Sequence, residues 1–600
     1  MKFLWHFIDL DKQQKQERRR LLDRHALIAQ SSILVPLLIL QLYFVSRRTW
    51  KRVLRKNSDS EEPSSPFLKV ERSKRIPRTR KVGVLWTRAK WWAGEPVEVF
   101  ETRLGRRGEL VGAVVWTAWL MFLCVVQTGD DYLHLTKRFG IVGASQLPLQ
   151  YLLALKAPYS PFQLATHLSH ETLNIAHQLL GRTITLLFYL HTIFYLNFFI
   201  VKSLLAKRIK DRDVILGLVA IVLFTAKGTT ALGRVRRWNY RLFYVLHITS
   251  AAALLPVLHW HVHHIRIYVW ETAAVYILNA TLRHLNTRRY EGTISQVQTT
   301  SLLKIEIALP PDSSRVKIAS WKPGQHVYLS PPQDYGALRN IFANPFTIAS
   351  LPEKTGRLAF VARILDGNTL RLATLAQTPL TGSSITLSVE GPYGVPPSVA
   401  ELLLYDKILI VAGGVGATFA MPVFRSLQMA TRKCWRPVKT RFLWTVRDVR
   451  ETSWAHSQFD DISNATSCHV EIFVTRAGKG GTGVVSSLND QRKRKVSDSV
   501  ADHEQLALST NSADDIELQE REGLLNVATT PPPKTKDSSV CYGRLPLGKI
   551  VDETFAGGNI ERVAVLICGP AGLSRDLRKE VGRWVPKGRE VWWHAEEFGW

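Results

Sequence analysis

Four histidines form two pairs with the same spacing. His177 and His191 lie fourteen residues apart in one apolar stretch, and His247 and His261 lie fourteen residues apart in another. In an α-helix that step is about 21 Å along the axis and about 40° short of whole turns. Each pair therefore occupies one face of its helix, near opposite ends. Two such helices running in the same direction would stack two facing imidazole pairs, His177 with His247 and His191 with His261.

Facing imidazoles inside a membrane bundle suit the two axial positions of a haem iron, and ionisable side chains within spans are usually functional. A haem with both axial positions filled carries electrons rather than binding oxygen. The alternative is ordinary interhelical hydrogen bonding, but the repeated spacing favours haem. His259, His263 and His264 compete with His261 for the last position, although they fall about 120°, 160° and 100° out of phase with His247.

The helices that hold these histidines must cross the membrane. A hydrocarbon layer of about 30 Å requires roughly 20 apolar residues in a helix. The fifth predicted span is short and the last contains Glu271, so either is alternatively an amphipathic or buried helix. We predict seven spans, all before residue 290, at Ala26–Ser46, Glu109–Gln127, Phe139–Ala157, Leu179–Val201, Val214–Ala226, Leu242–Val262 and Ile267–Leu282.

The charge distribution predicts the orientation of these spans. Residues 47–107 contain 18 Lys or Arg against 7 Asp or Glu, whereas the next connection contains Asp130 and Asp131. By the positive-inside rule, residues 47–107 and everything after residue 290 are cytoplasmic, and the N-terminus faces out. The basic connection from Lys202 to Arg212 disagrees, and it is either a weak violation or a patch that attracts anionic substrates.

The second half of the chain alternates short strands with Pro and Gly from about Arg288, which predicts a small antiparallel barrel. Within it, the strand from Asn344 to Ser350 offers hydroxyl groups and an aromatic surface suited to a flat flavin ring. A predicted helix opening at Asp366-Gly-Asn-Thr369 offers free N–H groups to a pyrophosphate.

A glycine-rich turn further on has the pattern of a dinucleotide cradle. The strand Lys407 to Val411 leads into Gly413-Gly-Val-Gly-Ala-Thr418 and a predicted helix. Glycines let the backbone approach phosphates, and the helix N-terminus carries partial positive charge. Later strands end at Arg447 and Cys568. A doubly wound parallel sheet would bring all three strand ends to one edge.

From about residue 108 to its end, the chain resembles the fungal ferric-chelate reductases, in the superfamily that also contains the NADPH oxidases. The membrane part of the resemblance is carried by Arg138-Phe-Gly with Gln146-Leu-Pro, by the step His177-x3-Gly-Arg, and by the tract from Arg237 to His247. Reductases typically space both histidine pairs by fourteen, whereas oxidases typically shorten the second pair by one. The spacing here is that of the reductases.

The resemblance implies FAD, NADPH and two b-type haems as cofactors. Asn344 stands where the family usually has the His of His-Pro-Phe-Thr, and Gly543-Arg-Leu-Pro546 resembles a Gly-Arg-Pro motif with one inserted Leu. The preference for NADPH over NADH rests on resemblance alone. The resemblance also implies that the last residues, Glu596-Glu-Phe-Gly-Trp600, place an aromatic side chain over the flavin ring. The predicted cofactor-binding residues are Asn344, Pro345, Phe346, Thr347, Ser350, Gly367, Thr369, Gly391, Pro392, Tyr393, Gly394, Gly413, Gly414, Gly416, Thr418, Arg447, Arg544, Cys568, Gly569, Pro570, Phe598 and Trp600, and the predicted metal ligands are His177, His191, His247 and His261.

We therefore predict an α-helical transmembrane bundle, with a six-helix haem-binding core and one extra N-terminal helix, followed by a cytoplasmic FAD-binding β-barrel and an α/β doubly wound NADPH-binding domain of the ferredoxin-reductase type. The predicted boundaries are an N-terminal segment at 1–25, the first transmembrane helix at 26–46, a basic cytoplasmic loop at 47–107, the haem domain at 108–287, the FAD-binding barrel at 288–398, and the NADPH-binding domain at 399–600 with a disordered insertion at 477–541.

Composition excludes several other classes of protein. Five cysteines exclude a disulfide scaffold. The net charge of +29 suggests nucleic acid at first. A basic membrane scaffold that binds nucleic acid would leave the histidines and nucleotide motifs unexplained, so we expect no nucleic-acid partner.

The predicted function is electron transfer from cytosolic NADPH through FAD and two haems to chelated ferric iron or cupric ion across the membrane, supporting metal uptake. The alternative is an NADPH oxidase that reduces oxygen to superoxide. The expected location is the plasma membrane, or else a vacuolar or other internal membrane. An iron-uptake permease or an oxidase is a possible partner.

Overall fold

The structure is a computed structural model. It describes residues 5–59, 78–99, 102–156, 160–297, 300–309, 321–330, 343–352, 356–365, 367–376, 385–432, 438–455, 468–476, 540–557 and 561–596.

Two consecutive helices open the chain, α1 (Lys12–Ser31) and α2 (Leu34–Asp59). A capping box starts α1, because Asp11 Oδ1 accepts from Gln14 N at 2.7 Å and the Gln14 side chain accepts from Asp11 N at 3.1 Å. Residues 12–46 together form one apolar helical stretch long enough to cross a membrane. The first span, predicted at Ala26–Ser46, therefore ends where this stretch ends but begins 14 residues after its start.

A short helix and a hairpin connect this stretch to the main bundle. They are α3 (Arg78–Ala93), β1 (Pro96–Val99) and β2 (Thr102–Arg106), with β1 antiparallel to β2. Strand β2 runs directly into the next helix.

The main bundle follows. In the described part of the chain, five helical stretches are long and apolar enough to cross a membrane: residues 12–46, Arg107–Val125, Thr172–Val201, Arg212–Thr230 and Tyr240–His261. Their exposed apolar side chains suit a lipid-facing surface. The helices are α4 (Arg107–Val125), α5 (Tyr132–Ser145), α6 (Leu147–Leu153), α7 (Pro161–Thr166), α8 (His170–Val201), α9 (Leu205–Arg208), α10 (Arg212–Thr230), α11 (Gly233–Trp238), α12 (Tyr240–His261) and α13 (Arg266–Leu285).

Two predicted spans differ from the structure. The span predicted at Phe139–Ala157 is two helices, α5 and α6, which meet at Gln146. Pro148 lies in the first turn of α6, where proline is tolerated, but it cannot continue a preceding helix. The last predicted span is α13, a helix of 20 residues. It contains Glu271 and is not among the five apolar stretches.

The barrel predicted after residue 288 is a six-stranded antiparallel sheet with the order β6-β5-β8-β3-β4-β7. Its apolar side chains form one cluster that includes Leu303, Ile305, Phe360 and Leu387. Helix α14 (Asn368–Ala376) follows β7. The strands are β3 (Thr287–Gln296), β4 (Leu302–Ala308), β5 (His326–Ser330), β6 (Asn344–Thr347), β7 (Arg357–Arg363) and β8 (Ile385–Tyr393).

The last domain is a six-stranded parallel sheet with the order β12-β11-β10-β9-β13-β14, flanked by helices. This is the predicted doubly wound arrangement. The elements are α15 (Val399–Leu402), β9 (Lys407–Gly413), α16 (Ala417–Thr431), β10 (Lys439–Val446), β11 (Cys468–Val474), β12 (Val540–Tyr542), α17 (Leu547–Phe555), β13 (Val563–Cys568), α18 (Ala571–Gly582) and β14 (Val591–Glu596).

The predicted disordered insertion at 477–541 lies mostly outside the described residues. Its last two residues are an exception, because Val540 and Cys541 belong to β12 and pair with Ile472 and Phe473 of β11. The predicted insertion therefore extended two residues too far, into the start of β12.

Candidate cofactor sites

The two rings of the first histidine pair come from different helices and lie next to each other. His177 on α8 and His247 on α12 have ring centroids 6.2 Å apart, with ring planes at 62°. Two imidazoles bound to one metal ion through bonds of roughly 2 Å would place their ring centroids about 6 Å apart. The observed separation fits two imidazoles that would hold one metal ion between them.

The second pair lies farther from the nucleotide-binding domains, also on α8 and α12. His191 lies on α8, and His261 is the last residue of α12. The ring of His191 packs against Tyr195 with centroids 5.0 Å apart. The structure thus places both predicted pairs along the same two helices, with a direct ring contact in the first pair.

The Nδ1 atoms of three of these histidines contact backbone oxygens of other helices. His177 Nδ1 lies 2.9 Å from Gln150 O, His191 Nδ1 lies 2.8 Å from Thr136 O, and His261 Nδ1 lies 2.6 Å from Asp213 O. A carbonyl can only accept, so Nδ1 carries the proton and Nε2 keeps its lone pair. This tautomer is the one that an axial ligand to iron needs.

The fourth histidine, His247, differs. Its Nδ1 is buried and makes no hydrogen bond of normal geometry within the described residues, although the backbone carbonyl of Lys227 is nearby. The competing His259 points elsewhere, with its ring 5.2 Å from that of Trp270.

Two glycines make room for the second pair. A Cβ on Gly140 would lie 2.6 Å from the His191 ring, and a Cβ on Gly217 would lie 2.8 Å from His261 Cε1. Real Cβ atoms essentially never come so close, so a side chain there would displace the ring. Sequence analysis quoted Gly140 within the motif Arg138-Phe-Gly without giving it a role, and it missed Gly217, because these roles depend on contacts between different helices.

Gly217→Ala is expected to displace His261 and to reduce the haem content to about one per chain. Gly228→Ala is the matched control on the same helix, since a Cβ there would have no neighbour within 4 Å. The measurement is the haem-to-protein ratio of the purified variants. Equal haem content in the two variants would contradict this account of Gly217.

The predicted flavin strand is β6, which pairs with β5 at the edge of the barrel. Asn344 Oδ1 accepts from Asn368 Nδ2 at 3.1 Å, so the strand and the start of α14 lie together. Two hydroxyl groups that were predicted to contact the cofactor instead make hydrogen bonds within the flavin domain. Ser350 Oγ donates to Arg357 O, and Thr369 Oγ1 donates to Leu365 O at 2.9 Å.

The motif Glu390-Gly-Pro-Tyr-Gly394 ends β8 and faces the membrane bundle. Arg283, near the end of α13, makes a bidentate ion pair with Glu390, with both N–O distances at 3.0 Å. The Tyr393 hydroxyl donates to Glu390 Oε1 at 2.7 Å, and the Lys156 ammonium lies over the Tyr328 ring. These contacts join the flavin domain to the bundle.

The carboxylate of Glu390 is almost fully buried, which by itself would raise its pKa. The Arg283 guanidinium, Lys156 and the Tyr393 hydroxyl overcome this effect and hold the pKa of Glu390 below its ordinary value. The carboxylate is therefore ionised at neutral pH. Sequence analysis assigned no role to Glu390 or to Arg283.

The glycine-rich turn lies where β9 ends, beside the turn that follows β13. A Cβ on Gly416 would lie 2.1 Å from Cys568 O, and a Cβ on Gly413 would lie 2.7 Å from Pro570 Cδ. Glycine is thus required for the two turns to touch. A Cβ on Gly569 would lie 3.0 Å from Gly413 Cα, and Thr418 Oγ1 donates to Val415 O at 2.9 Å.

Three arginines gather beside this edge of the sheet. Arg363 ends β7 of the barrel, Arg447 follows β10 and Arg476 follows β11. Burial, Arg363 and Arg476 lower the pKa of Arg447 below its ordinary value. Glu451 offsets part of this charge, since its carboxylate lies 3.2 Å from Arg363. Such a cluster suits a phosphate.

Arg544 follows β12 and so lies at the same edge of the sheet. Arg544 pairs with Asp576 of α18 at 3.6 Å and is mostly exposed. Its role in nucleotide binding stays a prediction. Phe598 and Trp600 lie outside the described residues. Arg363 and Arg476 were missed, because neither belongs to a recognisable motif.

Comparison with protein families decides the identity of these domains. Residues 139–258 match the ferric reductase like transmembrane component, residues 291–397 match an FAD-binding domain, and residues 405–582 match the ferric reductase NAD binding domain. Together these matches cover about two thirds of the chain. The chain belongs to the ferric reductase family. The resemblance noted from the sequence is confirmed.

Individual ferric reductase relatives are distant. A probable cell surface ferric reductase of Aspergillus oryzae is 26% identical over 56% of this chain, which spans only 47% of that protein. A probable metalloreductase of Scheffersomyces stipitis is 24% identical over 81% of this chain and 86% of its own length. A ferredoxin NADP+ reductase from Neisseria gonorrhoeae with bound FAD and NADP aligns with 52% of this chain and 98% of its own, at 14% identity and a TM-score of 0.29.

Proposed function

We propose that the chain carries electrons from cytosolic NADPH through FAD and two b-type haems to chelated ferric iron, or cupric ion, across the membrane, in support of metal uptake. The observation that carries this proposal is the pair of stacked histidine sites with backbone-bound Nδ1 atoms. Bound FAD would accept a hydride, and bound haems would pass single electrons. Electron transfer between domains requires them to be held close, and the Arg283–Glu390 pair supports such docking.

The acceptor would bind at the far end of the bundle, beyond His191 and His261. The basic connection between α8 and α10 lies on that side, and within it Arg208 pairs with Asp211 at 2.8 Å. The other basic side chains there would attract anionic chelates. The position and charge of the connection from Lys202 to Arg212 therefore support a role in attracting the substrate.

The plasma membrane is the proposed location, with the flavin and nucleotide domains in the cytoplasm. The name of the Aspergillus relative, a cell surface reductase, supports this location. If the protein is in an internal membrane instead, the end of the bundle that meets the acceptor would face the lumen. An iron-uptake permease or an oxidase remains the proposed kind of partner.

The acceptor decides between this proposal and an NADPH oxidase. Vesicles containing the purified protein would receive NADPH on the nucleotide side, and either ferric citrate or oxygen on the other. The proposal predicts ferrous iron trapped by an impermeant chelator. Oxygen consumption and superoxide without ferrous product would favour the oxidase instead.

Arg447→Ala is expected to raise the KM for NADPH by about 10- to 100-fold, because a hydrogen bond to a charged group contributes about 1.5–3 kcal/mol. The KM for NADH should change little, since NADH lacks the 2′-phosphate. The measurement is flavin reduction at varied nucleotide concentration. Arg432→Ala is the control, because Arg432 is exposed after the end of α16, at the opposite edge of the sheet. An equal loss for NADPH and NADH would contradict a role in recognising the phosphate.

A further inference from the structure

One tryptophan of α3 is held between two residues of the nucleotide-binding domain. The Arg578 guanidinium carbon of α18 lies 4.3 Å from the centroid of the Trp91 ring, and Arg578 Nη2 donates to the Trp91 backbone O at 2.7 Å. On another side, the rings of Trp91 and Trp593 meet edge to face with centroids 5.7 Å apart. Both are favourable geometries for aromatic side chains.

The surroundings of Trp91 are shaped to this contact. A Cβ on Gly582 would lie 3.3 Å from Trp91 Nε1, tighter than most side-chain contacts, so glycine leaves room for the indole. The ring also packs against the apolar cluster beneath the sheet, which contains Leu577 and Val581. The next residue, Trp92, is 52% exposed and takes no part in this cluster.

Further contacts extend the interface along the same segment. The Arg88 side chain donates to Pro586 O, and Arg575 of α18 lies 3.6 Å from the Glu98 carboxylate of β1. Helix α3 and the hairpin thus contact the nucleotide-binding domain at several points. We call residues 78–99 and 102–106 the brace.

The other end of the brace is fixed to the membrane bundle. Strand β2 continues directly into α4, and Arg107 N donates to Glu95 O at 2.9 Å. The Arg107 side chain also pairs with Glu95 at 2.8 Å. A Cβ on Gly108 would lie 3.0 Å from Ala93 Cβ, so the start of α4 and the end of α3 are in close contact. The brace therefore links the bundle to α18 without passing through the barrel.

Helix α18 has a direct connection to the nucleotide site. It begins at Ala571, immediately after the Cys568-Gly-Pro570 turn, which packs on the glycine-rich turn at Gly413 and Gly416. A helix is stiff over its twelve residues, so a displacement of α18 would move that turn as well.

We propose that the brace positions α18, and through it the Cys568-Gly-Pro570 turn beside the glycine-rich turn, relative to the membrane-anchored part of the chain. Trp91 and Arg578 are then positioning residues for hydride transfer to the flavin. The proposal rests on the proposed function only in assuming that NADPH and FAD bind, and it does not depend on the haems or on the acceptor.

The test is stopped-flow reduction of the flavin by NADPH, without acceptor, in the full-length purified protein. Trp91→Ala is expected to slow flavin reduction at saturating NADPH about 10-fold, while the flavin content and the haem content stay at the level of the unaltered protein. Trp92→Ala is the matched control and should keep the original rate. Trp91→Phe should restore most of the rate, because an aromatic ring remains against Trp593.

Arg578→Met provides a second route if Trp91→Ala does not fold. It keeps the length of the side chain but removes the guanidinium over Trp91, and it should slow flavin reduction several-fold. Hydrogen exchange within residues 571–582 should rise in both variants. Equal flavin reduction rates in the Trp91 and Trp92 variants, or an unchanged rate in Arg578→Met, would overturn the proposal. Failure to reduce ferric iron, with these effects on the flavin intact, would count only against the proposed function.

Discussion

Replacing His191 or His261 with alanine is expected to abolish ferric reduction while leaving the reduction of the flavin by NADPH intact. Both histidines lie at the end of the stacked sites that is farther from the nucleotide-binding domains. Losing an axial ligand should cost more than losing a hydrogen-bonded neighbour of one, which typically costs about 10- to 100-fold. We therefore expect more than about a 100-fold loss of ferric reduction in vesicles, with flavin bleaching by NADPH at its original rate.

The matched control is His259→Ala. His259 lies on α12 two residues before His261, but its ring packs against Trp270. This variant should retain ferric reduction and a full haem content. Unchanged ferric reduction in the His191 and His261 variants would remove these residues from the electron path.

Removing Arg283 is expected to separate the flavin domain from the membrane bundle. Its partner Glu390 is only 4% exposed at the side chain, and losing one member of a buried pair typically costs about 3–5 kcal/mol. Arg283 Nη1 also lies 3.4 Å from the hydroxyl of Tyr244, on the same helix as His247. In Arg283→Ala, NADPH should reduce the flavin normally, whereas electron transfer onward to the haem should slow by at least about 10-fold.

Stopped-flow spectra at the flavin and haem absorption bands would measure the two steps separately in Arg283→Ala. Glu291→Gln is a suitable control, because Glu291 is exposed on β3 of the same sheet. If haem reduction in Arg283→Ala kept pace with flavin reduction, the ion pair would have no role in docking.

The Arg283–Glu390 pair also has a defined pH dependence. The folded pKa of Glu390 is held below its ordinary value of 4.5, so the unfolded carboxyl takes up a proton first as pH falls. The stabilisation is therefore complete at neutral pH and is lost only as pH falls below about 4.5 through the folded pKa. Flavin-to-haem transfer should accordingly be insensitive to the ionisation of Glu390 between about pH 5 and pH 8.

The pairing of the histidines follows from local rules and was therefore predictable. A step of fourteen residues places His177 and His191 on one face of a helix whatever the surroundings are. The parallel sheet and its glycine-rich turn at Gly413 follow similarly from strand, turn and helix patterns. The predicted fold class is confirmed for the same reason.

Contacts between distant segments were not predictable. The backbone oxygen that fixes His191 belongs to Thr136 on another helix, and Arg283 and Glu390 are 107 residues apart in different domains. The basic stretch at 47–107 was interpreted only as a marker of orientation, yet its residue Trp91 packs on the nucleotide-binding domain. Such roles depend on tertiary packing, which leaves no periodic pattern in the sequence.

The most direct test of the proposed electron path is the reduced-minus-oxidised absorption spectrum of the purified protein, measured together with haem per chain. NADPH without acceptor should reduce two low-spin b-type haems per chain, and addition of ferric citrate should reoxidise both. A preparation that contains FAD but shows no low-spin haem signal would contradict the assignment of His177, His191, His247 and His261 as ligands, and with it the proposed path across the membrane.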